Sequence, residues 1–158
     1  MVIEYARNVL GFEDAQHAEY DPYASELFIS ALSCSLVGQT MNVRLDPGSR
    51  AARFYGKSEV SEQYYCNFGL NPEHQQRLNY GGLHMVGTDQ DGKACVVELP
   101  DRTFYLATLF VPQLSSQPDS PHSLIGRGSA AMCKLSISGV PWMRPDAEDG
   151  GGHRTGKG

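Results

Sequence analysis

The sequence predicts an α/β fold in one domain, with a mixed sheet and flanking helices. Apolar residues recur at helical spacing in the first ten positions and alternate with polar residues around position 43. A nearly continuous apolar run then occupies positions 104–111. A chain of 158 residues has the size of one domain and is long enough to bury a core.

The first predicted element is a helix that ends at Gly11, a residue that commonly terminates helices. It is predicted from apolar residues at helical spacing, namely Val2, Ile3, Ala6, Val9 and Leu10. No Ser, Thr, Asp or Asn precedes Val2 to accept the free backbone N–H groups of the first turn. We therefore expect a helix without a side-chain cap, as though its natural start lay further upstream.

Strands dominate the next predicted section. The polar residues 12–26 are interpreted as a surface loop, and an apolar segment follows them. The alternation of residues 41–45 predicts a strand, which the Asp-Pro-Gly turn at 46–48 closes. Residues 51–56 and residues 60–68 are predicted to form two further strands.

The second half begins with a helix and a hairpin. Asn71 suits the N-cap and Pro72 the first helical position of a short helix that runs through Leu78. Residues 83–88 and 94–99 are predicted to pair as a β-hairpin around a turn at 89–92.

A buried strand and a last helix complete the predicted domain, which spans residues 1–135. The apolar run 104–111 suits a strand that is buried on both faces. Residues 122–134 are predicted to form the final helix, which His122 begins or caps. Residues 136–158 hold too few apolar side chains to pack and are predicted to be disordered.

Composition excludes several classes of function. The net charge is −5 and there is no basic stretch, so the sequence predicts no nucleic-acid partner. The apolar runs are short and the N-terminus does not resemble a signal peptide, so a cytoplasmic protein without a membrane partner is predicted. The four cysteines form no CxxC pair, which predicts reduced thiols, no metal site and no cofactor.

An ordered series of motifs resembles a known family over residues 1–135. The series comprises VIEYARNVLG at position 2, TMNVRL at 40, the hairpin glycines with Asp91-Gly92, ELPD at 98, the run 104–113 and PHSL at 121. It resembles the class I glutamine amidotransferase domain of the CTP synthase type. The segments LSCSL, YYCNFGLNP and ATLFVPQ resemble those of a smaller subgroup, the stand-alone proteins related to the C-terminal region of CTP synthase.

The resemblance implies a flavodoxin-like amidotransferase fold that is N-terminally truncated in this chain. The family role is hydrolysis of glutamine, which supplies ammonia to a ligase that forms CTP in pyrimidine nucleotide synthesis. A synthetase partner is therefore implied. Because the preceding strands of the family fold are expected to be missing, we also expect an exposed apolar sheet edge and self-association as a homo-oligomer.

The same resemblance implies that the glutaminase chemistry is absent. The family places its cysteine nucleophile just upstream of the first helix, before Met1. Its catalytic histidine corresponds to Val111, which cannot carry a proton, and its glutamate corresponds to Gln113, which is uncharged. The implied catalytic positions are therefore degenerate, and the chain is predicted to be inactive on its own.

The resemblance also points to a ligand-binding segment. A basic segment that covers the substrate in the family corresponds to residues 64–69, where Asn67 replaces the arginine expected to pair with the substrate carboxylate. The candidate binding residues for glutamine or another small polar ligand are Glu62, Tyr64, Cys66 and Asn67. Glu62 is interpreted either as a pocket residue or as a surface charge, and Cys66 either as a site residue or as a half-buried packing residue.

Two other functions remain open from the sequence. The chain is interpreted alternatively as a non-catalytic module that binds a small ligand or a partner, or as part of an enzyme whose reaction is unknown. Ligand binding without ammonia release would favour the module.

Overall fold

The computed structural model describes residues 1–129 and contains helices and strands in mixed order. The helices are α1 (Val2–Asn8), α2 (Arg50–Tyr55) and α3 (Pro72–Tyr80). The strands are β1 (Ala15–His17), β2 (Glu26–Ala31), β3 (Thr40–Leu45), β4 (Glu59–Gln63), β5 (Phe68–Leu70), β6 (His84–Thr88), β7 (Ala94–Glu98) and β8 (Leu106–Thr108). A 3-10 turn covers Pro112–Ser115. Residues 123–129 are helical, and we name this segment the C-terminal helix. The predicted end of that helix and the tail 136–158 lie outside the described residues.

The strands form two sheets. The larger sheet has the order β4-β3-β6-β7-β8, and all of its neighbouring strands are antiparallel. The smaller sheet has the order β1-β2-β5, in which β1 and β2 run parallel. Parallel and antiparallel pairs with flanking helices give the α/β architecture with mixed pairing that the sequence predicts.

The apolar side chains form two clusters, and the second of them contacts both sheets, because Val97 lies on β7 of the larger sheet. The first cluster joins α2 to the larger sheet and contains Val43, Leu45, Ala51, Val60, Tyr64, Val96, Phe110 and Leu124 among its buried members. The second joins α1 and α3 to the smaller sheet and contains Ala6, Ala15, Phe28, Leu78, Leu83 and Val97. The C-terminal helix contributes Leu124 to the first cluster, so it packs on the same side as α2.

Local sequence signals account for the elements that were predicted correctly. Helix α1 starts without a side-chain cap, as expected. The Asn71 side chain accepts a hydrogen bond from the Glu73 N–H at 3.1 Å, and Pro72 occupies the first position of α3. Strands β6 and β7 form the predicted hairpin, and the Asp89 side chain accepts N–H bonds within its turn.

The prediction of a strand at 51–56 is wrong, because these residues form α2. The Ser49 hydroxyl accepts a hydrogen bond from the Ala52 N–H at 3.0 Å, so a side-chain cap begins the helix. Gly56 ends it in the left-handed conformation, with φ of 73°. Two adjacent alanines favour a helix between these signals.

Three other predicted segments differ from the structure. The segment 60–68 is divided between β4 and β5, which belong to different sheets. Only Leu106–Thr108 of the run 104–111 is strand, and these residues are half-buried rather than buried on both faces. The supposed loop 12–26 contains the short strand β1 and the first residue of β2.

Strand β8 forms one edge of the larger sheet. A cleft of about 220 Å³ lies beside it and is lined mainly by apolar side chains, including Val2, Ile29, Val97 and Ala107. The expected self-association through an apolar edge stays a prediction. Within residues 1–129, no helix is long and apolar enough to cross a lipid bilayer.

Candidate functional site

Strand β4 determines which candidate residues face the interior. Side chains alternate between the two faces of a strand, and in β4 the buried positions are Val60 and Glu62. The alternation continues past the strand end, since Tyr64 is fully buried whereas Tyr65 is 66% exposed. Tyr64 and Tyr65 therefore point to opposite sides of the chain.

Glu62 lies in a buried polar cluster. Its side chain is 5% exposed, and its Oε1 accepts a hydrogen bond from the Tyr55 hydroxyl at 2.6 Å. His122 Nε2 lies 3.0 Å from the same oxygen. The interpretation of Glu62 as a surface charge is wrong, because its carboxylate is enclosed by two polar partners.

The environment of Tyr55 keeps its phenol protonated. Burial and the neighbouring Glu62 carboxylate raise the pKa of Tyr55 well above its usual value. The Tyr55 ring meets the His122 ring edge to face, with centroids 5.5 Å apart. Tyr55 therefore acts as a donor to Glu62. We name these residues the Tyr55–Glu62–His122 cluster.

The other candidate binding residues occupy different environments. Tyr64 is enclosed in the first apolar cluster, where its ring meets Phe110 edge to face at 5.8 Å. Cys66 is half-buried, and burial raises the pKa of its thiol. Asn67 is exposed, and its backbone carbonyl accepts from the Leu32 N–H at 2.9 Å. Of these three side chains, that of Asn67 is the best exposed to a ligand in solvent.

Val111 and Gln113 lie next to the end of β4. The Val111 N–H donates to the Gln63 carbonyl at 3.0 Å, which fixes the entry to the 3-10 turn. Val111 is half-buried and Gln113 is exposed. The two predicted degenerate positions are thus held beside the segment 62–67, although they are some fifty residues away in sequence.

A surface cavity of about 380 Å³ opens at these positions. Val111, Pro112 and Gln113 line one part of it, and Leu124 and Ile125 of the C-terminal helix line another. The rest is lined by Phe104, Leu106, Thr108, Leu109 and Phe110. The cavity is mainly apolar, with Thr108 and Gln113 as the polar side chains in its wall.

The described cysteines lack the surroundings of a catalytic nucleophile. Cys34 is exposed, whereas burial raises the pKa of Cys95 to about 11 and thereby favours the unreactive thiol. Within residues 1–129, no cysteine sulfur forms a hydrogen bond with an imidazole, and no group of three His, Cys, Asp or Glu side chains is placed to hold a metal ion. Cys133 lies outside the described residues.

Replacement of Tyr64 by phenylalanine is expected to change the unfolding free energy by less than about 1 kcal/mol. The Tyr64 hydroxyl is buried in the first apolar cluster and forms no hydrogen bond within the described residues. Removing an unsatisfied polar atom while keeping the ring leaves the packing intact. Urea denaturation of the two proteins measures the difference, and a loss above 2 kcal/mol would contradict the environment described.

The sequence did not indicate that Tyr55 and His122 share a site with Glu62. The predicted strand at 51–56 contains Tyr55, and the sequence assigns His122 only to the start of the last helix. That assignment is confirmed, because His122 Nδ1 accepts a hydrogen bond from the Leu124 N–H at 3.2 Å. The sequence contains one signal for this cluster. Side chains alternate between the two faces of a strand, so Glu62 lies on the same face as the apolar Val60, and a buried carboxylate requires polar partners.

The chain is similar in sequence to curated CTP synthases. It is 36% identical to CTP synthase of Koribacter versatilis over 134 residues, which cover 77% of this chain and 24% of that protein. It is 35% identical to CTP synthase of Bifidobacterium longum over 140 residues, which cover 78% and 25% respectively. The chain therefore spans about a quarter of the length of these relatives. No family model matches it.

A solved structure shows the same fold. The glutaminase domain of Trypanosoma brucei CTPS, with bound acivicin, superposes with a TM-score of 0.78 at 23% sequence identity. The superposition covers 93% of this chain and 60% of that chain. The flavodoxin-like α/β fold implied by the resemblance is therefore confirmed.

Proposed function

The chain belongs to the glutamine amidotransferase domains of the CTP synthase type, and we propose from this that it is a domain that binds a small ligand without hydrolysing glutamine. The proposal rests on one observation, namely that Val111 and Gln113 line the cavity. An aliphatic side chain and an uncharged amide stand where the family resemblance puts the catalytic base and its carboxylate. Neither can accept or relay a proton at neutral pH.

The nearby His122 does not replace the missing base. Its Nε2 faces Glu62, and its Nδ1 accepts from the Leu124 backbone, so both ring nitrogens are occupied. The His122 side chain is also only 7% exposed. A general base must reach the proton that it removes, so this imidazole does not act on a ligand in the cavity.

The binding surface that we propose consists of residues 62–67 together with the cavity wall. In this proposal the exposed Asn67 offers amide donors and acceptors to the ligand, and the half-buried Cys66 is its neighbour in the chain. The side chains of Glu62 and Tyr64 are buried and therefore lie beneath this surface, without direct access to the ligand. The ligand class is a small polar molecule such as glutamine, now bound without the arginine contact that the family resemblance implies.

The family context suggests the wider role. We propose that the domain acts in the cytoplasm and is associated with a synthetase of pyrimidine nucleotide synthesis. The similarity to relatives named CTP synthase supports this placement. Hydrolysis that delivers ammonia to such a partner is not part of the proposal for this chain.

The purified chain is expected to release no ammonia from glutamine by a thiol-dependent route. Loss of general acid–base catalysis alone lowers such a rate by about 10² to 10⁴-fold. Ammonia release is measured with and without iodoacetamide, beside an active CTP synthase. The variant Cys34→Ser is the matched control, because it removes the exposed thiol. Turnover that alkylation abolishes in the wild type would overturn the proposal, and its absence from Cys34→Ser would identify Cys34 as the thiol responsible.

A further inference from the structure

Strands β5 and β8 are sheet edges that line the same apolar cleft. Strand β5 is the last strand of the smaller sheet, and β8 is the last strand of the larger sheet. Each pairs with one neighbour, β5 with β2 and β8 with β7. Phe68 and Leu70 of β5 and Ala107 and Thr108 of β8 lie in the wall of the cleft, whose volume is about 220 Å³. Within residues 1–129, one side of each strand therefore has no strand partner.

The pairing of β8 with β7 shows which of its backbone groups remain free. The Leu109 N–H donates to the Cys95 carbonyl at 2.8 Å, so these two residues form a hydrogen-bonded pair. Hydrogen-bonded and non-hydrogen-bonded pairs alternate along antiparallel strands. The N–H and carbonyl groups of Leu106 and Thr108 therefore point away from β7, towards the free edge. Among the backbone hydrogen bonds of the described residues, none involves these groups.

Strand β5 has the same kind of free edge. The Asn71 N–H donates to the Phe28 carbonyl at 2.9 Å, which makes these residues a hydrogen-bonded pair at the end of the ladder between β2 and β5. By the same alternation, the backbone groups of Phe68 and Leu70 point away from β2. Two strands therefore offer backbone donors and acceptors to an occupant of the cleft.

The side chains of the cleft wall are uncharged and mainly apolar. In the part of the chain that the structure describes, no Asp, Glu, Lys or Arg lines the cleft. Two of its polar side chains are already engaged, because Thr108 Oγ1 donates to the Phe110 carbonyl at 2.9 Å and His17 Nδ1 accepts from the Glu19 N–H at 3.1 Å. The opposite edge strand, β4, carries the exposed charge of Glu59, which is a common protection against edge pairing. The β8 edge lacks this protection.

This combination of groups fits an extended polypeptide better than a small ligand. Unpaired backbone groups beside apolar surface are costly, and pairing them requires donors and acceptors that recur at two-residue spacing. An added strand supplies these groups while its side chains cover the apolar wall. Because the wall carries no charge, the complementary strand consists of uncharged, mainly apolar residues.

The fold of the solved glutaminase domain includes more chain than superposes here. The superposition covers 93% of this chain but only 60% of the trypanosomal chain. The rest of that chain has no counterpart in the superposed part of this one. A domain with this fold therefore accommodates further polypeptide beside the shared part.

We propose that the cleft receives an extended apolar strand from a polypeptide segment outside these 158 residues. The strand pairs with the free edge of β8 through the backbone groups of Leu106 and Thr108. Its other edge faces Phe68 and Leu70 of β5. The larger sheet is thereby extended by one strand, and the apolar wall is covered. The proposal concerns the assembly of the fold and does not depend on the ligand site.

Site-resolved hydrogen exchange of the full chain tests the pairing, with a short synthetic peptide of alternating valine and threonine as the probe. Saturating peptide is expected to slow exchange of the Leu106 and Thr108 amides about tenfold, because each gains a hydrogen bond. The Ser61 amide on β4 is the internal control, since its N–H also points outward by the alternation from the bond between Leu45 and Ser58. Its exchange should not change.

Two matched changes distinguish strand pairing from apolar contact alone. Thr108→Pro removes an outward N–H without removing a bond to β7, so affinity for the peptide should fall about tenfold. Ser61→Pro makes the same change at the opposite edge and should bind like wild type. A peptide that is methylated on its backbone nitrogens keeps its side chains but loses its donors, so it should also bind about tenfold more weakly. This peptide decides the matter if Thr108→Pro does not fold.

Three results would overturn the proposal. Exchange at Leu106 and Thr108 that millimolar peptide leaves unchanged would show that β8 accepts no strand. Equal affinity for the methylated peptide would show that only side chains bind. Protection of both amides that rises with protein concentration, without peptide, would identify a second copy of the chain as the occupant. None of these measurements involves glutamine or ammonia, so this proposal and the proposed function stand or fall separately.

Discussion

Replacement of Glu98 by alanine is expected to lower the unfolding free energy by about 3 kcal/mol. The Glu98 carboxylate is 5% exposed and accepts the N–H groups of Arg50 at 3.1 Å and Ala51 at 2.6 Å. These are free N–H groups at the start of α2, where no backbone acceptor exists. Alanine would leave the buried donors unsatisfied. Urea denaturation measures the loss.

Two variants distinguish this role of Glu98 from a general effect of charge. Glu98→Gln keeps the shape and one acceptor oxygen, so we expect about half of the loss, roughly 1–2 kcal/mol. Glu59→Ala removes an exposed carboxylate from β4 and should change stability by less than about 0.5 kcal/mol. A loss below about 1 kcal/mol in Glu98→Ala would contradict the proposed anchoring of α2.

Replacement of Phe28 by alanine is expected to cost about 3–5 kcal/mol of unfolding free energy. The Phe28 side chain on β2 is fully buried at the centre of the second apolar cluster. It stacks on the His74 ring at 4.1 Å with an interplanar angle of 8°, and its centroid lies 5.2 Å from that of Phe12. Alanine would leave a cavity between the smaller sheet and α3, which chemical denaturation would reveal as a shifted midpoint.

The size of this effect depends on packing rather than on aromaticity alone. Phe28→Leu retains most of the apolar volume and should cost less than about 1.5 kcal/mol. Tyr20→Ala removes an aromatic side chain that is 83% exposed, so it serves as the surface control and should be nearly neutral. If Phe28→Ala and Phe28→Leu were equally destabilising, cavity formation would not be the cause.

Elements with local start and stop signals were predictable from the sequence. Asn71 and Pro72 mark the start of α3, and the turn at 89–92 marks the hairpin. The same kind of signal was available for α2 in Ser49 and Gly56, but the short segment between them also suits a strand. Sequence periodicity cannot decide the type of an element of six residues.

Features that depend on distant segments were not predictable. The division of residues 60–68 between two sheets follows from the partners of β4 and β5, which the local pattern does not contain. The Tyr55–Glu62–His122 cluster joins residues up to 67 positions apart. Strand alternation indicates that Glu62 is buried, yet only the folded chain shows which side chains meet its carboxylate.

The anchoring of α2 by Glu98 has a consequence for the order in which the domain folds. The bonds from Arg50 and Ala51 span 48 and 47 residues, and α2 has only six residues, far fewer than an isolated helix needs to persist in water. Closing such a long loop carries an entropic penalty that local contacts cannot offset early. We therefore expect helix α2 to become stable late in folding, after the hairpin of β6 and β7 has brought Glu98 into place.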